Sequence, residues 1–197
     1  MIRIADTIHM RSDKVFSNVT AWATRGRREH ATLSTHQAIA QSGHSIVHAL
    51  MRQGVCEMGW RNYARILEQE GGHWCVVRPS RITHEQEADI ALCLDEMIGW
   101  HYSKSSLALQ FVDAMIAKVL RRPRAGWDSV VLRRCQRIWE RGVICSETGN
   151  RPYIRVALLP SWLRFGSPDD TWDYQMAHSE NWQVIAYSDG WYKPKRK

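Results

Sequence analysis

No stretch of this sequence approaches the roughly 18 uncharged apolar residues that a membrane-spanning helix needs. Its opening, MIRIADTIHMRSDK, lacks the apolar core of an export signal, so a cytoplasmic location is expected. Cysteine is sparse: five residues, an odd number and widely scattered, which excludes a framework of paired disulfides and fits reduced thiols. Zinc-finger spacings, aromatic RNA-binding signatures and basic heptads are all missing, as are internal repeats and low-complexity blocks. His36, His44 and His48 lie close together, but no His-Glu-x-x-His pattern accompanies them, and Gly43 ahead of Ile46-Val47 reads as strand. Neither a metal nor a cofactor is expected.

What is present suits a globular chain. Its 197 residues are enough to bury a core without staples, and 44% of them are apolar, ten being tryptophan. One domain is expected over residues 1–190, with 191–197 as a basic tail. The formal net charge is +7, gathered in RGRRE, RRPR, LRRCQR and the tail KPKRK. Such patches suit nucleic acid, an anionic lipid surface or an acidic protein, or serve only as a solubilising surface.

Hydrophobic periodicity predicts the elements. ADTIHM reads as a short strand and KVFSNVTAWAT as a helix. HATLSTHQAIA follows as a strand with His30, Thr32, Ser34 and His36 along one face. GHSIVHAL and GVCEMGW are further strands, with turns at Gly43 and Gly54. RNYARILEQE is a helix ended by Gly71-Gly72, and HWCVVRP a buried strand stopped by Pro79. Thr83 and Gln86 stand at capping-box spacing before a helix whose buried stripe is Ile90, Leu94, Met97 and Ile98. SLALQFVDAMIAKVL and WDSVVLRRCQRIWERG read as helices, SPDDTWDYQM as a capped helix and WQVIAY as a strand. Strands first and helices after give an α+β class.

Several of these segments together carry a resemblance. ADTIHM, with Asp6, matches a strand beginning Gly-Asp-Ile-Leu, and REHATLST sets His30 where a Ser-His-Val-Gly strand carries its histidine. SIVHAL offers His48 as a third polar residue. Val77-Arg78-Pro79, Gly99-Trp100-His101-Tyr102 and Cys145-Ser146-Glu147 follow in the same order. In this the chain resembles the permuted papain-like cysteine hydrolases of the NlpC superfamily, above all the YiiX/YebB-like branch, and more distantly the lecithin:retinol acyltransferase-type enzymes. The resemblance covers about residues 4 to 175 and implies a small antiparallel sheet or half-barrel packed against helices. Glu29, Thr32 and Pro152 depart from its pattern, and Pro152 predicts a short helix after Cys145.

The chemistry implied is nucleophilic. Cys145 at a helix start would have its thiolate favoured by unpaired N–H groups and attack a carbonyl carbon, with His30 as base and then acid. His48 would orient His30, His36 being the competing orienter along the same strand face. Tyr102 and Glu147 are substrate-binding candidates, and Tyr102 would line a pocket. Glu147 either reaches back, as part of the Cys-Ser-Glu motif, to cap the first helical turn or is simply a solvated acidic side chain at a helix start. The expected substrate is an amide or ester, possible examples being peptidoglycan peptides or lipid esters, with delivery by a phage lysis system one route to a cell wall. The opposing expectation is a catalytically idle binding protein on the same scaffold. Cys75 and Cys93 read as inert core thiols, and Cys56 and Cys135 give no stronger signal.

Overall fold

A computed structural model describes residues 1–11, 34, 36–105, 108, 143–165 and 168–191. The helix expected over KVFSNVTAWAT, most of SLALQFVDAMIAKVL, WDSVVLRRCQRIWERG, and all four basic clusters lie outside the described residues, as does His30.

Strands β1 (Thr7–Arg11), β2 (His36–Ala40), β3 (Ser45–Leu50) and β4 (Gly54–Gly59) lead into helix α1 (Trp60–Gln69). Then come β5 (His73–Pro79), α2 (His84–Met97), α3 (Cys145–Arg155), a 3₁₀ turn (Ser161–Phe165), α4 (Pro168–Ala177) and β6 (Trp182–Tyr187). The strands form one six-stranded sheet in the order β4-β3-β2-β1-β5-β6, antiparallel at every pairing. The molecule is therefore α+β. No helix among the described residues is long and apolar enough to cross a membrane.

Side-chain alternation gives the sheet two faces, both covered. On one, Ile39, Val47, Ala49, Cys75 and Val77 pack against Ile90, Leu94 and Met97 of α2 and Tyr153 of α3. On the other, Ile8, Met10, Ala38, Ala40, Ile46 and Val76 meet Trp60, Ala64 and Leu67 of α1. The second face explains why apolar residues come consecutively in β2 and β3, as in Ala38-Ile39-Ala40 and Ile46-Val47, rather than alternating.

Most local signals hold. The capping box forms: the Gln86 N–H donates to Thr83 Oγ1 at 3.2 Å, and the Thr83 N–H to Gln86 Oε1 at 3.0 Å. Gly54 turns the β3–β4 hairpin at φ +76°, and a Cβ there would lie 2.2 Å from the Trp100 carbonyl oxygen, which accepts from the Val55 N–H. Ile98 departs from expectation. It stands at the C-cap of α2 with extended ψ and is 39% exposed, so Cys93 takes its place in the buried stripe. Pro152 also differs: it lies inside α3, which runs one residue short of a full turn beyond it to Arg155. β6 returns from the carboxy-terminal segment to pair with β5, so the strands are not confined to the first half.

Candidate functional site

Two strands part at the site. The β2–β3 ladder runs from Ala40–Ile46 to Ala38–His48 and stops, leaving Gln37 without a partner on β3. Helix α3 fills that gap with its first residue. The Cys145 sulfur receives the backbone N–H of Gln37, together with those of Ser146 and of Cys145 itself. A strand N–H points within the plane of the sheet, so the sulfur sits where the ladder would have continued.

The start of α3 is built by its own sequence. Ile144, in extended backbone, precedes the helix, and its N–H donates to Glu147 Oε2 at 3.1 Å. The Thr148 hydroxyl donates to the Ile144 carbonyl at 3.1 Å. Farther along, the Gln37 amide donates to Asn150 Oδ1 at 3.0 Å, the Thr171 hydroxyl donates to the same oxygen at 2.9 Å, and Asn150 Nδ2 donates to the Leu163 carbonyl at 2.8 Å. This buried network fastens the first two turns of α3 to β2, the 3₁₀ turn and α4. Pro152 is tolerated beside it, and Tyr153 donates to the Ala5 carbonyl while accepting from Thr7 Oγ1 at 2.9 Å.

Electrostatics at the thiol are opposed. Burial pushes Cys145 up to about 11, aided by the nearby Glu147 charge, while the three N–H groups pull it down. Only 7% of Cys145 is exposed. Burial likewise raises Glu147 to about 7, against the Ile144 N–H and the charges of Arg164 and Arg151. Tyr102 approaches from the strand-like segment that bridges Val143 in parallel, and its hydroxyl hydrogen-bonds the Cys145 sulfur. Its phenol lies well above the ordinary range, chiefly through burial and then through the Cys145 and Glu147 charges.

Histidines occupy the other side of the gap. Ala38 and His48 are direct cross-strand partners, so His36 and His48 share the α1 face. The His36 and His48 rings lie 6.1 Å apart, edge to face, and Tyr63 of α1 meets His48 at 5.7 Å. Burial lowers His36 to about 4, and burial plus the His36 charge lowers His48 to about 3, so both rings are neutral at pH 7. Among the described residues neither nitrogen of His48 has a hydrogen-bond partner. Burial raises Tyr63 to about 12, with the Cys145 charge the next cause, which sets the thiol within electrostatic range of this face.

Cys145, Tyr102 and Glu147 thus lie together, and Glu147 caps the helix. His48 stands at the same gap, but its described imidazole neighbour is His36 across the ladder. Gln37 and Tyr63 escaped the sequence reading. An in-plane N–H leaves no trace in a side-chain pattern, and Tyr63 is one tyrosine on an ordinary amphipathic helix. Asp6, immediately before β1, holds Arg78 of β5 through both carboxylate oxygens, at 2.7 and 2.8 Å, so the pair ties the two strands together. Cys75 is raised to about 12 and Cys93 is also raised, both by burial, in keeping with inert thiols. Among the described residues no group of three His, Cys, Asp or Glu side chains is arranged to hold a metal ion.

No protein-family model matches the sequence, and no curated protein does. Among solved structures the chain is similar to metalloprotein YiiX from Escherichia coli O157:H7, with 14% identity over 94% of this chain and 97% of that one. The TM-score is 0.42, a likeness too loose to carry function.

Proposed function

We propose that the chain is a cysteine hydrolase of amide or ester bonds on a permuted papain-like scaffold, with Cys145 as nucleophile. The observation that carries this reading is the cradle around its sulfur: two backbone N–H groups at a helix start and one from β2, with the Tyr102 hydroxyl beside them. Donors so placed favour a thiolate, and the same donors favour the oxyanion that forms next to it.

The base in this reading is His36, one residue before the Gln37 whose N–H meets the sulfur, with His48 packed against it. His30, outside the described residues, is the competing base. The neutral imidazole takes the thiol proton, and the sulfur bonds to the carbonyl carbon, moving the C=O electron pair onto oxygen. Collapse re-forms the carbonyl and breaks the bond to the leaving amine or alcohol, which takes the imidazolium proton. Water, deprotonated by the same imidazole, then releases the acyl group and restores the thiol.

A second reading is favoured by the thiol itself. Held near 11 by burial, Cys145 is protonated at neutral pH, as in an idle binding protein. The two separate by the burst of p-nitrophenol from p-nitrophenyl acetate. The enzyme reading expects a burst that Cys145→Ala abolishes and His36→Ala lowers by about 10²–10⁴-fold. A normal burst in His36→Ala, lost in His30→Ala, would move the base to His30. The absence of any burst in the unaltered chain, with Cys145 alkylated no faster than a free cysteine, would end the enzyme reading.

A further inference from the structure

Between α2, α3 and the 3₁₀ turn lies a cavity of about 330 Å³ that the chemistry above does not use. Its floor is apolar, from Met97 and Ile154, and its wall carries Trp100. Arg151, Arg155 and Arg164 surround it, with Glu96 the one carboxylate among the described lining residues. Guanidinium groups outnumber carboxylates in this lining, although Arg151 and Arg164 also act on the Glu147 carboxylate.

The arginines are not equivalent. Arg155 is engaged, donating to Glu96 at 2.8 Å. Arg151 lies over the Trp100 ring, 4.9 Å from its centroid, and its guanidinium makes no hydrogen bond or salt bridge among the described residues. The Trp100 ring face holds the Arg151 guanidinium by cation–π attraction at the cavity wall. A guanidinium beside apolar surface is suited to a carboxylate or phosphate, which its planar fork can take bidentately. The volume falls at the small end of ligand sites, which span about 300–1,000 Å³.

We infer that this cavity binds a small organic anion, an oxyanion group on a compact apolar body, with Arg151 as its principal anchor and Met97 and Ile154 against the apolar part. Arg164 adds charge from the 3₁₀ turn. Arg151 is six residues beyond Cys145, about 9 Å along the helix axis, so the site is separate from the thiol. The inference does not depend on Cys145 being reactive.

Titration calorimetry on the full chain tests it, with phenyl phosphate and benzoate as anionic probes and benzyl alcohol as the neutral one. Saturable binding of either anion at one site per chain is expected, weaker at raised salt, with no saturable binding of benzyl alcohol. Arg151→Gln is expected to weaken the anions by roughly tenfold or more, Arg151→Lys by less, and Cys145→Ala not at all. Benzyl alcohol binding as well as the anions, no binding of either anion, or unchanged affinity in a folded Arg151→Gln chain would each overturn the inference. The comparison of probes on the unaltered chain stands even where a variant fails to fold. Anion binding without a p-nitrophenol burst would retire the hydrolase and leave this site in place.

Discussion

At the scale of single residues, His48 is the most exacting group in the molecule. Its ring is fully buried between His36 and Tyr63, neutral, and without a partner for either nitrogen among the described residues. A folded value of about 3 against 6.5 for a free imidazole means that the unfolded chain takes up a proton the folded chain refuses. Stability from this group is therefore complete above pH 6.5 and is lost as pH falls toward about 3. Between pH 6.5 and 4.5 the loss is on the order of 2–3 kcal/mol. His9 and His36, each lowered to about 4, act in the same direction. Replacing His48 with phenylalanine keeps the aromatic packing and removes the titration. Urea melts at pH 7 and 4.5 should show a smaller acid loss in His48→Phe than in the unaltered chain; equal losses would place the acid sensitivity elsewhere.

At the scale of elements, α3 is fitted to β2 so closely that one missing side chain decides the approach. A Cβ on Gly149 would lie 2.4 Å from Gln37 Cδ, and Gln37 is itself fully buried and bonded to Asn150. The glutamine has no free direction in which to yield. Gly149→Ala is expected to cost about 1–3 kcal/mol, the usual range for overpacking, measured as a lower urea midpoint at unchanged slope. Because the same helix presents Cys145 to the Gln37 N–H, its alkylation rate should change as well. The helix start was legible in the sequence through Val143-Ile144 followed by Cys-Ser-Glu, where Glu147 is three residues beyond the cap. The continuation through Pro152 was not. A proline lacks the N–H that would have reached the Thr148 carbonyl, and the helix runs on because its turns are held by buried contacts such as Gln37 to Asn150, set by tertiary packing rather than propensity. In the same way the capping box at Thr83 was readable from four residues. The pairing of His48 with His36 required a cross-strand register that no local pattern encodes.

At the scale of the whole molecule, the sheet depends on segments far apart in the chain. The helix-side face of β1, β2, β3 and β5 is covered by α2, α3, α4 and Trp182 of β6, and Tyr153, Trp172, Trp182 and Trp191 supply the large side chains of that core. A chain ending at residue 142 loses all four. Its expected behaviour is strong binding of an apolar dye and a broad urea transition, measured against a sharp transition in the full chain. A sharp transition in the shortened chain would show that β1 to β5 with α1 and α2 are self-sufficient. The α+β class was legible because strand signals cluster early and helical signals follow. The place of β6 beside β5 was not, because WQVIAY carries the same pattern on any sheet edge.

The hydrogen bond from the His9 ring to Gln175, 2.7 Å long, joins residues 166 positions apart. A ribosome adding about 5–20 residues per second would leave that histidine without its amide for on the order of ten seconds or more. Both neighbours of the first strand, β2 and β5, are made early, yet one of its faces stays bare throughout this interval, until α4 arrives with Gln175.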